Sequence, residues 1–457
     1  MLAHWLLMDT AEDSRLSCGS MIREPASTPS PKPENLQEKS SRLPWLLLGI
    51  FAVAVIVRVF AALASGVSKI SGDEAEHFGA ALNLIHGLGY ALVPQQSPDG
   101  LPMPTAYRTP GPALLMSLGM LVFGAKAWVG RAISILVSSA SVFLVYAITR
   151  TVANRRPALG ASVACALYPT WVLNSFTLLS EPLFVTSLLL SLWQTIRVRE
   201  ASSTPRALLC GLAWGITVLS KPLGLPCMAL AMLYLAWSGW RSSRRLPAKP
   251  LMLFALGCAA VYSPWIIRNA ITMHRFIPLA TEGGESLLGA NNPYVLEGPV
   301  YYGLWIPPLS IPEYRERLKS VRDEVERSRI QSQIAIDYLK NHPGAAPVLA
   351  VRKLLRFLTP ITVTGGAARL VVLGSYGVLL LLLAAGVALR DIQRSPSLDI
   401  ALLWLLTSLV TTAVYWGNLT RGRLPLEIVF LPWGAVAAEA AIARLRERFL
   451  LWRPKGI

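Results

Sequence analysis

The sequence predicts an all-α polytopic membrane protein. Its 457 residues are 53% hydrophobic and only 15% charged, and the apolar residues occur in continuous blocks. Five blocks approach or reach the roughly 20 residues that a helix needs to cross a bilayer core. These are Leu43–Ala64, Ala127–Thr149, Leu251–Ile267, Leu370–Leu389 and Leu424–Ala443. Because lipid offers no hydrogen-bond partners, backbone in the bilayer must be helical or form a closed barrel, and continuous apolar runs favour helices.

Basic residues cluster in the short links between apolar runs, which predicts the orientation of the bundle. The clusters are Arg150/Arg155/Arg156, Arg197/Arg199/Arg206, Arg241/Arg244/Arg245/Lys249, Arg390/Arg394 and the basic tail 444–457. With residues 1–43 as a disordered cytoplasmic tail, roughly ten spans within 44–443 place every cluster in the cytoplasm. This solution requires Pro110–Gly124 to lie at the membrane surface or to re-enter it. The net charge of +17 is thus attributed to topology, and no nucleic-acid partner is expected.

The same topology predicts the working face. Segments 67–108 and 268–368 and the link 418–423 fall outside the cytoplasm, on the periplasmic or exterior side of the inner membrane. In 268–368 we expect two helices separated at Asn341–Pro343, the first highly charged and the second amphipathic, with Arg352, Lys353 and Arg356 at the membrane interface.

Carboxylates stand at two positions on this face. Asp73 and Glu74 follow Gly72 and begin an amphipathic helix that ends near Gly87–Gly89; the alternative to a catalytic role is a capped helix with solvated carboxylates. Glu181 lies between apolar residues in LLSEPLF, where Ser180 and Pro182 favour a helix start. A carboxylate at the bilayer centre costs roughly 2.5–3.5 kcal/mol on insertion scales, so Glu181 should face a polar cavity or cap its helix near the outer end.

Cations on the same face complete the expected site. They are Lys221, Arg268, Arg421 and Arg423. Such residues would hold an anionic phosphate at the membrane surface, or alternatively extend to lipid headgroups. Arg58, inside the first span, needs a buried partner, for which an ion pair is one solution.

These charges suggest a reaction. A carboxylate base removes a proton from an acceptor hydroxyl while fixed cations stabilise a departing phosphate, as in transfer from a polyprenyl-phosphate sugar. A lipid or glycan transporter is an alternative, although no repeat with matched broken helices is evident. A membrane polymerase or ligase that uses pyrophosphate-linked glycans is a second one.

Six phrases resemble the GT-C membrane glycosyltransferases, and they occur in the family's order from about Leu46 to Glu439. The phrases are SGDEAEHFGAALNLIHGLGY, YRTPGPALLMSLGMLVFG, YPTWVLNSFTLLSEPLF, GLAWGITVLSKPLG, SPWIIRNAITMHRFIPLATEGGESLLGANNP and RGRLPLEIVFLPW. The bacterial branch with protein O-mannosyltransferase-like, aminoarabinose and core galacturonosyltransferase enzymes is most similar. The resemblance implies a GT-C fold with roughly ten transmembrane helices and extracytoplasmic juxtamembrane helices.

The resemblance also implies roles for individual residues. Asp73 corresponds to the catalytic base and Glu74 to an acid that shapes the site, whereas Glu181 corresponds to an acceptor or metal contact. The family's phosphate-binding cations map to Lys221, Arg268, Arg421 and Arg423. His77, a further candidate acceptor contact, stands where Tyr is frequent, and Lys221 stands where Arg is common, which keeps the charge but loses the bidentate fork.

Partners and cofactors follow from this hypothesis. The donor is a polyprenyl-phosphate sugar, the acceptor is a hydroxyl on a lipid, glycan or protein, and membrane lipids surround the chain. Because the leaving group is a lipid monophosphate, cationic side chains suffice, so that no cofactor is required and a divalent metal is optional. No DxD triplet is present, and the five cysteines show no metal-ligand spacing.

Overall fold

A computed structural model describes residues 43–67, 69–91, 102–201, 203–298, 303–360, 366–415 and 421–452. Within these ranges the chain is helical, and the pair Ala91–Pro104 forms an isolated antiparallel bridge. The predicted tail 1–43 lies outside the described residues except for its last position, as do residues 453–457 and the first part of the link 418–423.

Ten helices make up the first part of the chain. They are α1 (Leu43–Ala64), α2 (Asp73–Ile85), α3 (Gly111–Phe123), α4 (Ala127–Arg150), α5 (Arg155–Leu167), α6 (Pro169–Ser175), α7 (Glu181–Glu200), α8 (Thr204–Ser220), α9 (Gly224–Ser243) and α10 (Ala248–Met273).

The later helices are shorter until the chain returns to long apolar segments. They are α11 (Gly283–Ala290), α12 (Pro293–Glu297), α13 (Pro312–Leu318), α14 (Glu324–Asn341), α15 (Ala345–Leu358), α16 (Ala367–Val372), α17 (Val378–Ala388), α18 (Pro396–Tyr415) and α19 (Leu424–Trp452), with a π-helical stretch Leu373–Gly377 joining α16 to α17. Helix α19 therefore continues into the predicted basic tail 444–457.

Six helices in the described part of the chain are long and apolar enough to cross a membrane. They are Leu43–Ala64, Ala127–Arg150, Ala248–Met273, Arg369–Ala388, Pro396–Tyr415 and Leu424–Arg448. The other predicted spans are also helical, in α5 to α9, but are shorter or less apolar. Helix α3 has 13 residues, which is too few to cross a bilayer. This agrees with the prediction that Pro110–Gly124 does not span the membrane.

Helix α7 shows why a segment of the bundle need not be as apolar as one that faces lipid. Most of its side chains are buried, including Ser191 and Thr195. Ser191 shares a hydrogen bond of 2.9 Å with Thr217, and Thr195 accepts one of 3.0 Å from the Trp214 indole. Hydroxyl pairs of this kind join neighbouring helices in membrane bundles.

Small residues bring α8 and α10 together. A Cβ added to Gly211 would lie 2.0 Å from the Phe254 carbonyl oxygen, and one added to Gly257 would lie 2.4 Å from that of Leu208. The two backbones are therefore in direct contact, as at other small-residue interfaces of membrane helices. Helix α10 also carries Arg268, so this contact fixes one support of the site.

Arg58 finds a partner of a different kind from the ion pair considered above. Its guanidinium is fully buried and donates to the carbonyl oxygens of Ala166 at 2.9 Å and Ala54 at 3.1 Å. Ala166 lies in the last turn of α5, where carbonyl groups lack helical partners and the helix dipole is negative. The helix end thus compensates the buried charge.

The segment 268–368 departs from its prediction in two ways. The break at Asn341–Pro343 is found between α14 and α15, but the first predicted helix is divided into α13 and α14. Lys353 does not reach a membrane interface: it is 1% exposed and donates to the Asn291 side chain at 3.0 Å and the Val414 carbonyl at 3.1 Å. The face of α15 that holds Lys353 also holds buried Leu349 and Phe357, so it packs inward.

Candidate active site

Asp73 is the first residue of α2, and Gly72 allows the helix to begin there. Gly72 has φ +56°, a conformation that glycine adopts without strain. The Asp73 carboxylate does not cap the helix: Oδ1 accepts from Arg108 Nη2 at 2.8 Å, and Oδ2 accepts from Arg421 Nη1 at 2.6 Å. The alternative of a capped helix with solvated carboxylates does not describe Asp73, because its carboxylate is paired with two arginines.

Arg421 links Asp73 to the buried acid. Its Nε donates to Glu181 Oε1 at 2.6 Å, and Lys221 Nζ reaches the same oxygen at 2.8 Å. The Glu181 side chain is fully buried, while Asp73 is 32% exposed. Four of the predicted residues therefore form one continuous series of ion pairs: Asp73, Arg421, Glu181 and Lys221.

Helix ends explain why these charges are tolerated so close to apolar segments. Asp73 and Glu181 each begin a helix, where the dipole favours negative charge, and Lys221 follows the last residue of α8, where it favours positive charge. Glu181 follows Ser180 and precedes Pro182, so the predicted start of α7 is confirmed.

Arg108 extends the series on the other side of Asp73. Its Nε donates to Glu76 at 2.8 Å, its Nη1 contacts Glu282, and its Nη2 holds Asp73. One guanidinium thus engages three carboxylates from two separate segments. The three acids hold the pKa of Arg108 well above its usual value in spite of burial.

The pKa of Asp73 reflects two opposing influences. Burial raises it, but the positive charges of Arg108 and Arg421 outweigh burial and leave the pKa below its ordinary value. Glu76 differs: burial dominates the partial compensation by Arg108, and its pKa is raised. Asp73 is therefore ionised at neutral pH, whereas Glu76 takes up a proton more readily.

His77 lies beneath the cluster rather than in contact with a solvent-filled space. Its side chain is 3% exposed, and its Nδ1 is buried without a hydrogen-bond partner in the described structure. Burial, reinforced by Arg108, lowers its pKa to about 3, so the ring is neutral. The predicted contact of His77 with an acceptor is not supported by this position.

Glu74 points away from Asp73. Its Oε1 accepts a hydrogen bond of 3.0 Å from the Leu178 backbone and lies 3.9 Å from Arg131 Nη1. Leu178 belongs to the turn that precedes Glu181. Glu74 therefore holds α2 against this turn, which shapes the site from behind instead of lining it.

Arg268 and Arg423 do not join the ion-pair series, which corrects the prediction that all four cations gather in one site. Arg423 is fully buried, pairs with Glu427 at 2.7 Å and donates to the Thr359 carbonyl at 2.6 Å. Arg268 donates to the Thr105 carbonyl at 2.6 Å and also to the Tyr90 carbonyl. Both arginines stabilise neighbouring backbone.

The segment that carries Arg108 is held from several directions. Glu324, the first residue of α14, accepts from the Ala106 amide and the Thr105 hydroxyl, both at 2.7 Å. The Tyr90 hydroxyl donates to the Arg108 carbonyl at 3.1 Å. With Arg268, these contacts fix the backbone from which the Arg108 guanidinium extends.

A cavity of about 250 Å³ opens beside the cluster. Its lining combines carboxylates, arginines and aromatic rings: Asp73, Glu76, Tyr107, Arg108, Glu282, Glu285, Ser286, Trp305, Tyr415 and Arg421. Lys221 lies instead on a much smaller recess with Ser408, Thr411 and Thr412. Asp73 and Arg421 thus face the larger cavity, and Arg421 leads through buried Glu181 to Lys221.

Three important residues received no role from the sequence: Arg108, Glu76 and Glu282. Arg108 and Glu282 occur in the phrases YRTPGP and TEGGES, but nothing local indicates that these phrases meet. Glu76 carried a usable signal, because it lies three residues after Asp73 and thus on the same face of α2.

In the described part of the chain, no group of three or more His, Cys, Asp or Glu side chains is arranged to hold a metal ion. The carboxylates that do converge, those of Asp73, Glu76 and Glu282, converge on a guanidinium.

Residues 107–267 match a protein family described as dolichyl-phosphate-mannose-protein mannosyltransferase. This range includes Arg108, Glu181 and Lys221 but neither Asp73 nor Arg421. No curated protein matches the chain significantly in sequence.

Solved membrane enzymes superpose on this chain at low sequence identity. Archaeoglobus fulgidus oligosaccharyltransferase AglB with an inhibitory peptide and a dolichol-phosphate superposes with a TM-score of 0.50 and 16% identity, over 90% of this chain and 52% of that chain. The Archaeoglobus fulgidus oligosaccharyltransferase complex with Zn and sulfate superposes with a TM-score of 0.51 and 16% identity, over 88% of this chain and 50% of that chain. ArnT from Cupriavidus metallidurans bound to undecaprenyl phosphate superposes with a TM-score of 0.42 and 15% identity, over 88% of this chain and 79% of that chain.

The chain spans about half the length of the archaeal enzyme, so the likeness concerns the shared bundle. The predicted resemblance is confirmed at this level. The protein has the fold of the GT-C membrane glycosyltransferases, and its residues 107–267 carry the sequence pattern of the dolichyl-phosphate-mannose-protein mannosyltransferase family.

Proposed function

We propose that this protein is an inverting glycosyltransferase. It moves one sugar from a polyprenyl-phosphate carrier to a hydroxyl group of a lipid, glycan or protein. The observation that carries this proposal is the position of Asp73, which lines a cavity and is joined through Arg421 to the buried pair Glu181–Lys221. An acid and a set of cations thus lie side by side, as a base and a phosphate site require.

The cavity suits a sugar. Its aromatic walls, Tyr107, Trp305 and Tyr415, offer flat apolar faces for a pyranose ring, and its carboxylates accept hydrogen bonds from hydroxyl groups. The volume of about 250 Å³ lies just below the range of roughly 300–1,000 Å³ typical of drug-sized ligand sites, as a single sugar ring requires. Tyr107 already donates to Glu285 at 2.6 Å, which shows that hydroxyl–carboxylate pairs form here.

Lys221 and Arg421 form the phosphate side of the site. Both cations contact Glu181 in the resting protein, so an arriving phosphate competes with that carboxylate. Arg421 is partly exposed at 24%, and its guanidinium can reach a phosphate with nitrogens that Glu181 does not use. Lys221 supplies a second point charge beside Ser408 and Thr412.

Because Arg108 and Arg421 both bind the Asp73 carboxylate, donor binding also affects the basicity of Asp73. While both oxygens are held, the low pKa of Asp73 makes it a poor base. A donor phosphate that draws Arg421 towards itself frees Oδ2 and raises the proton affinity of the carboxylate. Donor binding therefore prepares the base for an acceptor.

The chemical step is then a single displacement. Asp73 takes the proton of the acceptor hydroxyl group while the oxygen of that hydroxyl group attacks the anomeric carbon of the donor sugar. The bond between that carbon and the phosphate oxygen breaks, and its electron pair leaves with the lipid monophosphate, next to Arg421 and Lys221. One displacement inverts the anomeric centre.

The location of the site is part of the proposal. The six apolar helices support a membrane protein, and the basic clusters support an inner-membrane orientation with the cavity towards the periplasm or cell exterior. A donor lipid would then reach the site from the outer leaflet.

Transfer by purified protein tests the function. Radiolabelled polyprenyl-phosphate sugars are incubated with membrane extract and either wild type, Asp73→Asn or the control Asp391→Asn, whose carboxylate pairs with Arg444 away from the cluster. We expect Asp73→Asn to lower covalent transfer at least 100-fold, within the range of roughly 10²–10⁴ for general base catalysis, and Asp391→Asn to retain it. Unchanged transfer by Asp73→Asn refutes the assigned base. Labelled lipid that crosses vesicles without covalent transfer would favour a transporter.

A further inference from the structure

Arg108 occupies an unusual position for an arginine. Its three guanidinium nitrogens each contact a different carboxylate: Glu76 at Nε, Glu282 at Nη1 and Asp73 at Nη2. None of the three acids is more than about one-third exposed, and Arg108 itself is 20% exposed. The centre of this carboxylate group is thus filled by a positive charge that belongs to the chain.

Carboxylates that converge on one point are also the ligands that hard divalent cations prefer. A metal ion bound by Asp73, Glu76 and Glu282 would have to take the place of the guanidinium. Because Arg108 is the common partner of all three, the acids fit an arginine and do not fit a metal together with that arginine. The related archaeal structure with Zn and sulfate therefore does not imply a metal at these residues.

Contacts from other parts of the chain fix the backbone that carries Arg108. The backbone around it is fixed by Glu324 at Ala106, by Arg268 at Thr105 and by the Tyr90 hydroxyl at Arg108 itself. These contacts come from three separate parts of the chain: helix α14, helix α10 and the segment that follows α2. A side chain that only neutralised surface acids would not need such support.

We propose that the Arg108 guanidinium is the resident cation of this site and takes the place of a divalent metal at Asp73, Glu76 and Glu282. Transfer then proceeds without a metal at these acids, a consequence that rests on the proposed function.

The charge balance also bears on the donor. Among the described residues, four carboxylates and two guanidinium groups line the cavity, a formal charge of −2. A divalent ion in place of Arg108 would raise this by one. The resident arginine therefore disfavours a pyrophosphate, which carries more negative charge than a monophosphate diester, and favours the monophosphate-linked donor.

Manganese binding tests the proposal without any substrate. Purified full-length protein in detergent is titrated with Mn²⁺, and free Mn²⁺ is measured by electron paramagnetic resonance. The variants are wild type, Glu282→Gln, Arg108→Ala and the double variant Arg108→Ala/Glu282→Gln. We expect no Glu282-dependent site in wild type. Arg108→Ala should gain one Mn²⁺ site, bound at least tenfold more tightly than any in wild type, and the double variant should lose it.

Two results overturn the inference. One is a Mn²⁺ site in wild type that Glu282→Gln removes. The other is a folded Arg108→Ala variant, with a cooperative melting transition, that gains no Glu282-dependent site. If Arg108→Ala does not fold, the comparison of wild type with Glu282→Gln decides alone: a Glu282-dependent site refutes the proposal, and its absence with Mn²⁺ in excess supports it.

Failure of the proposed function gives a different pattern. In that case no sugar is transferred under any metal condition, while the Mn²⁺ results remain as expected. If transfer occurs, chelation with EDTA should leave the wild-type rate within twofold. A wild-type rate that EDTA abolishes and Mn²⁺ restores, together with a Glu282-dependent Mn²⁺ site, would refute the resident cation but leave the glycosyltransferase intact.

Discussion

Arg421 donates from Nη1 to Oδ2 of Asp73 at 2.6 Å, although the two residues are 348 positions apart in the chain. Asp73 begins α2, and Arg421 lies shortly before α19. Through its Nε, Arg421 also holds Glu181, so the charge of one side chain is shared by two acids. The site therefore depends on residues from early and late parts of the chain.

The buried pair Glu181–Lys221 should show strong energetic coupling. Removal of one partner from a buried ion pair costs roughly 3–5 kcal/mol, because it leaves the other charge uncompensated. We expect Glu181→Gln and Lys221→Met each to lower the unfolding free energy by about that amount, reduced where Arg421 compensates, and the double variant to lose less than their sum. A double-mutant cycle measured by unfolding in detergent checks this.

Arg394 provides the control for that cycle. It pairs with Asp399 at 3.2 Å but is 82% exposed. Arg394→Met should change stability by no more than about 1 kcal/mol, as is usual for exposed pairs. Strictly additive effects at Glu181 and Lys221 would contradict the coupling.

His77 should make the protein sensitive to acid. Burial lowers its folded-state pKa to about 3, whereas an unfolded histidine titrates near 6.5. Between these values the unfolded chain binds a proton that the folded chain does not, so stability falls as the pH drops below about 6.5. At pH 5 this amounts to about 2 kcal/mol. Thermal melts at pH 7 and pH 5 should show a smaller loss for His77→Gln than for wild type.

His86 is the matched control, since it is exposed at the end of the same helix. His86→Gln should leave the loss between pH 7 and pH 5 as in wild type. An equal pH response in wild type and His77→Gln would show that the proton is taken up elsewhere.

Glu324 should act on catalysis through Arg108 without touching the cavity. Glu324→Ala removes the acceptor of the Thr105 hydroxyl and the Ala106 amide, so segment 104–109 becomes less ordered. We expect about a tenfold lower transfer rate, together with faster deuterium exchange in this segment, measured by mass spectrometry. Glu326→Ala, which removes only an exposed pair with Arg329, should change neither. Slower transfer with unchanged exchange would rule out the positioning role.

Gly211 should be intolerant of a methyl group. In Gly211→Ala the new Cβ meets the Phe254 carbonyl at 2.0 Å, which forces α8 and α10 apart. Overpacking of this kind costs typically 1–3 kcal/mol. Gly160→Ala, in α5, meets nothing within 4 Å and should be neutral. Melting temperatures in detergent compare the two; equal values would mean that α10 shifts freely.

Much of the fold could be predicted because local chemistry determines it. Gly72 before two acids gives the start of α2, Ser180 and Pro182 give the start of α7, and a short apolar run between Pro110 and Gly124 gives a helix too short to span. Hydropathy identifies six long apolar helices but underestimates α7, whose buried Ser191 and Thr195 hydroxyl groups bond with α8.

The site was predicted only in part because span ends look alike in sequence. Arg421 and Arg423 are two residues apart in the same link, yet one reaches Asp73 and the other turns inward to Glu427. Arg268 ends a span as expected but meets carbonyl oxygens, not acids. No local pattern indicates which partner faces each arginine, and for the same reason Arg108 remained without a role.

The distance in sequence between Asp73 and Arg421 also sets an order for biogenesis. During synthesis Glu181 acquires Lys221 after 40 more residues, but it waits another 200 for Arg421. Until that link emerges, the acids of the cluster lack one of their cations, and α19 has yet to enter the bilayer. A chain that ends before residue 421 would hold most of the described helices but not the complete ion-pair series, so the candidate site is completed only when α19 is added.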